Sequence, residues 1–258
     1  MNTAEKQRNA TGCDSAAPGW SGLYWTAGVA AFLLIVYALA TMVQLVVLGG
    51  PPTTAADAFS LLHSHRIVGL LRLDLPTVLV MPLYYLLFLA LLAALWRTDR
   101  ANATLSTSLV FVGVTLVLAT PTGLSMMWLS EKYAAATSEA ARLQLLAAGE
   151  ALLATDMWHG TGAVIGGILA QSGAVLISIV MLRSSVFSKA TAYLGILMHG
   201  FDLAHIILGL FLPVVGVVFM AIAGPFYPIW LFLVGRRLLK LAAASPTRRD
   251  SAAAMNDM

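Results

Sequence analysis

Long apolar runs, each able to cross a membrane, constrain this chain more than any motif in it. The run 23–48, "LYWTAGVAAFLLIVYALATMVQLVVL", exceeds the ~20 residues needed to cross a hydrocarbon layer about 30 Å thick. Comparable runs occupy 76–96, 105–129 and 157–182. From 190 to 235 the chain stays apolar for long enough to cross twice, and "FLPVVG" marks the reversal, because proline cannot continue the preceding helix cleanly. That gives two further spans at 190–212 and 214–235. Only 10% of residues are charged, against about 25% in an ordinary soluble domain. A water-soluble core could not hide the 59% that are hydrophobic. The expectation is an all-α polytopic membrane protein with a six-span bundle over 21–241.

The connecting segments add detail. Ala38-Leu39-Ala40 could pass for a signal-peptidase site, but the apolar run continues to Leu48, so an uncut anchor is expected. After "GGPPTT", Thr54 and Asp57 fit a capping box that opens the helix "DAFSLLHSHRIVGLLRL". Its histidines and arginines make it too polar to span, so it is expected to lie at the interface. "SEKYAAATSEAARLQLLAAGEALLAT" reads as a second amphipathic interfacial helix. Pro121 is expected to kink span three, and the two prolines of "AGPFYPIW" to bend or open span six. Residues 1–20 and 242–258 read as disordered cytoplasmic tails. Cys13 is the only cysteine, which excludes an intrachain disulfide and a cysteine metal site.

Charge sets the orientation. With the N-terminus in the cytoplasm, both tails, the links at 97–100 and 183–189 and the Arg236-Arg237 run fall on that side. Arg66, Arg72, Lys132 and Arg142 fall outside. This asymmetry obeys the positive-inside rule and points to a bacterial inner membrane with both ends cytoplasmic. Lysines and arginines occur singly between apolar blocks, so the lipid bilayer is the expected partner and nucleic acid is not.

Span four carries small residues at every fourth position: Gly162, Gly166, Ala170, Ala174 and Ser178. Such a face lets a neighbouring backbone approach closely. Packing within the bundle and a homodimer seam both fit it. Gln44, Gln171 and Ser172 read as interhelical hydrogen-bonding residues.

Ionisable residues inside apolar runs are the candidate site. "MHGFDLAH" contributes His199, Asp202 and His205; "DMWH" contributes Asp156 and His159; "LRLDL" contributes Arg72 and Asp74. The orientation brings all three stretches to the outer half of the bundle. A charge at the bilayer centre costs about 2.5–3.5 kcal/mol on insertion scales, so Asp202 should point inward and pair with His205, His159 or Arg72. Four readings stay open: a structural network, a proton-coupled transporter or relay on Asp202 and His205, a metal-dependent hydrolase, and a haem site. The hydrolase would hold zinc on His159, His205 and His65 or His63. Haem would lie between His159 and His205. No cofactor is expected outright, and whether the chain is an enzyme stays open.

The phrase order "DAFSLLHSHRIVGLLRLDL", "LFLALLAALWRTDRANATLS", "EAARLQLLAAGEALL", "DMWHGTGAVIGGILAQSGAVLISIVMLRSSVFSKATAYLGIL" and "GPFYPIWLFLVGRRL" resembles a family of bacterial integral membrane proteins known only as a domain of unknown function. The resemblance covers about 23–241. It implies a six-helix bundle and supplies no catalytic residues.

Overall fold

The computed structural model describes residues 20–244. Residues 1–19 and 245–258, with Cys13, lie outside the described residues and make up most of the tails expected at 1–20 and 242–258; residues 242–244 are helical instead. Twelve α-helices run in chain order, with no strand among the described residues. They are α1 Ser21–Val47, α2 Ala55–Ser64, α3 Arg66–Leu73, α4 Leu75–Val80, α5 Leu83–Leu95, α6 Arg100–Leu118, α7 Gly123–Ala135, α8 Glu139–Leu153, α9 Thr161–Arg183, α10 Lys189–Gly209, α11 Pro213–Ala223 and α12 Phe226–Ala244. Six helical segments are long and apolar enough to cross a membrane: 21–47, 75–95, 100–135, 161–183, 189–209 and 213–244. The chain is a multi-pass all-α membrane protein.

The spans form a closed ring. Each packs beside the next in sequence, and α12 of the last returns against α1 of the first. Within lipid the backbone polar groups must be satisfied inside each helix, which is why the spans are helical apart from short interruptions at 81–82, 119–122 and 224–225. At the polar ends, side chains start the helices. The Asp99 carboxylate accepts from Asn102 N at 3.1 Å, and Ser188 Oγ from Thr191 N at 3.1 Å.

Glycines set the closest contacts. A Cβ on Gly113 of α6 would stand 2.4 Å from Gly166 O, and one on Gly173 would stand 2.6 Å from Ser106 O. The Ser106 hydroxyl donates to Gly173 O across this seam at 2.7 Å. The stripe on span four therefore meets α6 inside the chain. A similar approach joins α1 to α12, where a Cβ on Gly28 would meet Gly235 O at 3.2 Å.

Three expectations need correction. The first interfacial helix is two helices, because His65 at φ −142°, ψ 69° leaves the helical region between α2 and α3. Its start is as expected: Thr54 Oγ accepts from Asp57 N at 3.1 Å. Span three is not merely kinked at Pro121; the helix stops at Leu118 and α7 begins at Gly123. Finally, the second interfacial helix is likewise divided, since α7 ends at Ala135 and α8 begins at Glu139; α2, α3, α7 and α8 lie side by side. They pack together as a cap with its own core of Phe59, Leu62, Met126 and Leu153, over one end of the ring. Both described ends of the chain lie at the other end.

Candidate functional site

The ring surrounds a half-open cavity of about 380 Å³ to which all six spans contribute. It reaches from the middle of the bundle toward the cap, where Trp158 borders it. Two helix breaks lie on its wall. Pro82 separates α4 from α5, and Met81 and Tyr84 on either side line the cavity. Pro225 separates α11 from α12, with Gly224 and Tyr227 lining it. Proline supplies no backbone N–H and clashes with the preceding turn, so the helix is interrupted there. The break expected in span six therefore opens onto the cavity.

Asp202 of α10 faces this space. Its Oδ2 accepts from Gln171 Nε2 at 2.5 Å and from the Tyr227 hydroxyl at 2.8 Å. Gln171 Nε2 also donates to the Tyr227 oxygen at 2.9 Å. With that amide nitrogen turned to Asp202, Gln171 Oε1 takes the Nδ1 proton of His199 at 2.7 Å. Three helices, α9, α10 and α12, thus close one polar network through Gln171. The tautomer this fixes on His199 leaves its Nε2 as an acceptor with no partner, and the neighbouring Trp230 Nε1 also has none. The two rings meet edge to face at 4.9 Å. No ion pair involves Asp202 among the described residues.

Asp202 is therefore inward and partnered, as expected, but its partners are not the expected ones. His205, one turn along, points its Nδ1 to Gly216 O at 3.0 Å. His159 stays local: its Nδ1 lies 3.0 Å from Asp156 Oδ1, with its side chain 69% exposed. The same Asp156 oxygen accepts from the backbone N–H groups of Trp158 and His159, each at 2.8 Å, so it organises the turn into α9. Arg72 Nε donates to Gly50 O at 2.8 Å, bracing the loop after α1. Asp74 is buried, and its Oδ2 accepts from Thr122 N at 2.5 Å and Gly123 N at 2.7 Å. It caps α7 from a distant segment. The expected single cluster is thus divided: Asp202 and His199 belong to the cavity, and Asp74, Arg72, Asp156 and His159 hold loops together.

His159, His205 and His65 are not brought together either. His63 and His65 lie exposed around the α2–α3 corner, and no group of three or more His, Cys, Asp or Glu that could hold a metal occurs among the described residues. Gln44 does bond between helices, donating to Leu71 O at 2.6 Å. Gln171 does more than that reading implied, since it is the hub of the cavity network. Tyr227 was missed altogether. The available signal was its position two residues after the proline break of span six.

No protein-family model, no curated protein and no solved structure matches the chain.

Proposed function

We propose that this protein is a membrane carrier, binding a small ligand in the central chamber and exchanging a proton on Asp202. One observation carries the reading: a cavity at mid-bundle, built by all six spans, whose wall holds a carboxylate that is in no ion pair among the described residues. Substrate sites at the midplane, framed by discontinuous helices, are how secondary transporters are built. The breaks at Pro82 and Pro225 place two such interruptions on this wall. Intramembrane carboxylates are costly when charged, so a proton or a ligand has reason to occupy Asp202 in alternation. This keeps the proton-coupled expectation and moves its chemistry from His205 to the Asp202–Gln171–Tyr227–His199 network.

The reading includes a bacterial inner membrane, both termini in the cytoplasm and the cap outside. Arg97, Arg100, Arg183, Lys189, Arg236 and Arg237 gather at the end away from the cap, which supports that orientation. It also includes membership of the six-helix family that the phrase order resembles.

A single cysteine on the wall tests the carrier. Thr41→Cys in a Cys13→Ser background is reconstituted and treated with an impermeant thiol reagent from each face in turn. A carrier exposes the site to both faces, at rates that change with pH and lose that dependence when Asp202→Asn is added. Labelling from one face only, under every condition, overturns the reading.

A further inference from the structure

We infer that the chamber takes a monovalent organic cation with an apolar body, a protonated amine or a quaternary ammonium, anchored on Asp202. The inference rests on the carrier reading and names its substrate class. Among the described residues, Asp202 is the only Asp, Glu, Lys or Arg on the cavity wall. The wall therefore offers an anion no positive partner and offers a cation one negative group. The two carboxylate oxygens are used unequally. Oδ2 takes both internal donors, while Oδ1 accepts no hydrogen bond among the described residues. A cationic N–H or a methylated ammonium can approach Oδ1 without displacing Gln171 or Tyr227.

The rest of the wall fits the remainder of such a ligand. Tyr37, Tyr84, Phe88, Trp158 and Tyr227 supply aromatic rings, whose faces attract cations electrostatically. Met42, Met81 and Met220 supply an adaptable apolar surface. At about 380 Å³ the space falls within the roughly 300–1,000 Å³ of small-molecule pockets. A bare divalent cation needs several anionic oxygens to replace its water, and among the described residues this wall offers one carboxylate. His205 turns its Nδ1 to Gly216 O and makes no ion-pair contact with Asp202 among the described residues.

The test is calorimetric titration of the full chain in nanodiscs with three probes of one shape class. These are benzyltrimethylammonium, its neutral carbon isostere neopentylbenzene, and the anion benzenesulfonate. The cation should bind at least about tenfold more tightly than the isostere, since Coulomb attraction to the carboxylate and cation–π contacts act on it alone. Benzenesulfonate should not bind. Asp202→Glu should keep the preference and Asp202→Asn should erase it; should Asp202→Asn fail to fold, the probe order on the native chain and on Asp202→Glu decides. Ala38→Phe, which fills part of the cavity wall, should weaken binding of every probe. If the isostere binds as well as the cation and Ala38→Phe still blocks both, the cation inference falls and the chamber stands. If no probe binds, or Ala38→Phe changes nothing, the chamber reading falls with it. Tighter binding of benzenesulfonate than of the cation overturns the inference outright.

Discussion

Four aspartates in this chain solve the same problem in different ways. Asp202 is held by a side-chain amide and a phenol from two other spans, which satisfy one carboxylate oxygen and leave the other to the chamber. Asp74 takes two backbone N–H groups at the start of α7, where a helix N-terminus favours negative charge. Asp156 takes N–H groups within its own turn. Asp99 sits outside the spans, and hydrogen bonds from Asn102, first from its side chain and then from its backbone, hold its carboxyl below the usual carboxylate range. Arg183 at 3.4 Å adds a smaller push in the same direction. A lowered folded-state value stabilises the fold above the ordinary carboxylate range, and that contribution is lost as pH falls through the lowered value. Thermal melts in detergent from neutral to acid pH should therefore show a shallower acid-side loss for Asp99→Asn than for the native chain. Its melting temperature at neutral pH should be lower by a small amount, since the site is solvent-screened.

Helices here are shaped by where they are interrupted and where they touch. Small residues matter through backbone approach: Gly113 admits Gly166 O, and Gly166 in turn admits Gly113 O. Gly113→Ala should therefore push α6 from α9 and destabilise by roughly 1–3 kcal/mol, the usual cost of overpacking. Gly200, with nothing within 4 Å of its would-be Cβ, is the control. Gly200→Ala should be neutral or stabilising by about 0.5–1 kcal/mol, because it removes backbone freedom without a clash. Melting temperatures of the two variants in one detergent decide this. The same elements show how far the sequence could be read. Span number and order follow from hydropathy, since lipid imposes a length that lipid-soluble residues must fill. The close contact of span four was legible in its four-residue spacing, and the capping box in Thr54 and Asp57. The break at His65 was not, because no Gly or Pro marks it and only the cap packing bends the chain there. Nor was the division of the polar cluster. Depth along the membrane can be read from sequence, but which way around each helix a side chain points depends on neighbours. Hence Asp202 was read as facing inward and given the wrong partners.

At the scale of the molecule, two layers divide the work. The ring supplies an apolar sleeve with a polar floor, and the cap covers one of its ends with a separate small core. Surface on the spans is hydrophobic where lipid should be: Leu197 is 49% exposed and Ile207 40%. Both lie on α10, the helix that turns Asp202 to the cavity. The account's central claim is this contrast on one helix, oil outside and a wetted chamber within. Cysteine scanning along α10, in a Cys13→Ser background reconstituted in bilayers, tests it most directly. With a water-soluble thiol reagent, the account predicts that a cysteine at Asp202 is labelled while cysteines at Leu197 and Ile207 stay protected. Labelling at Leu197 and Ile207 with protection at Asp202 would contradict it.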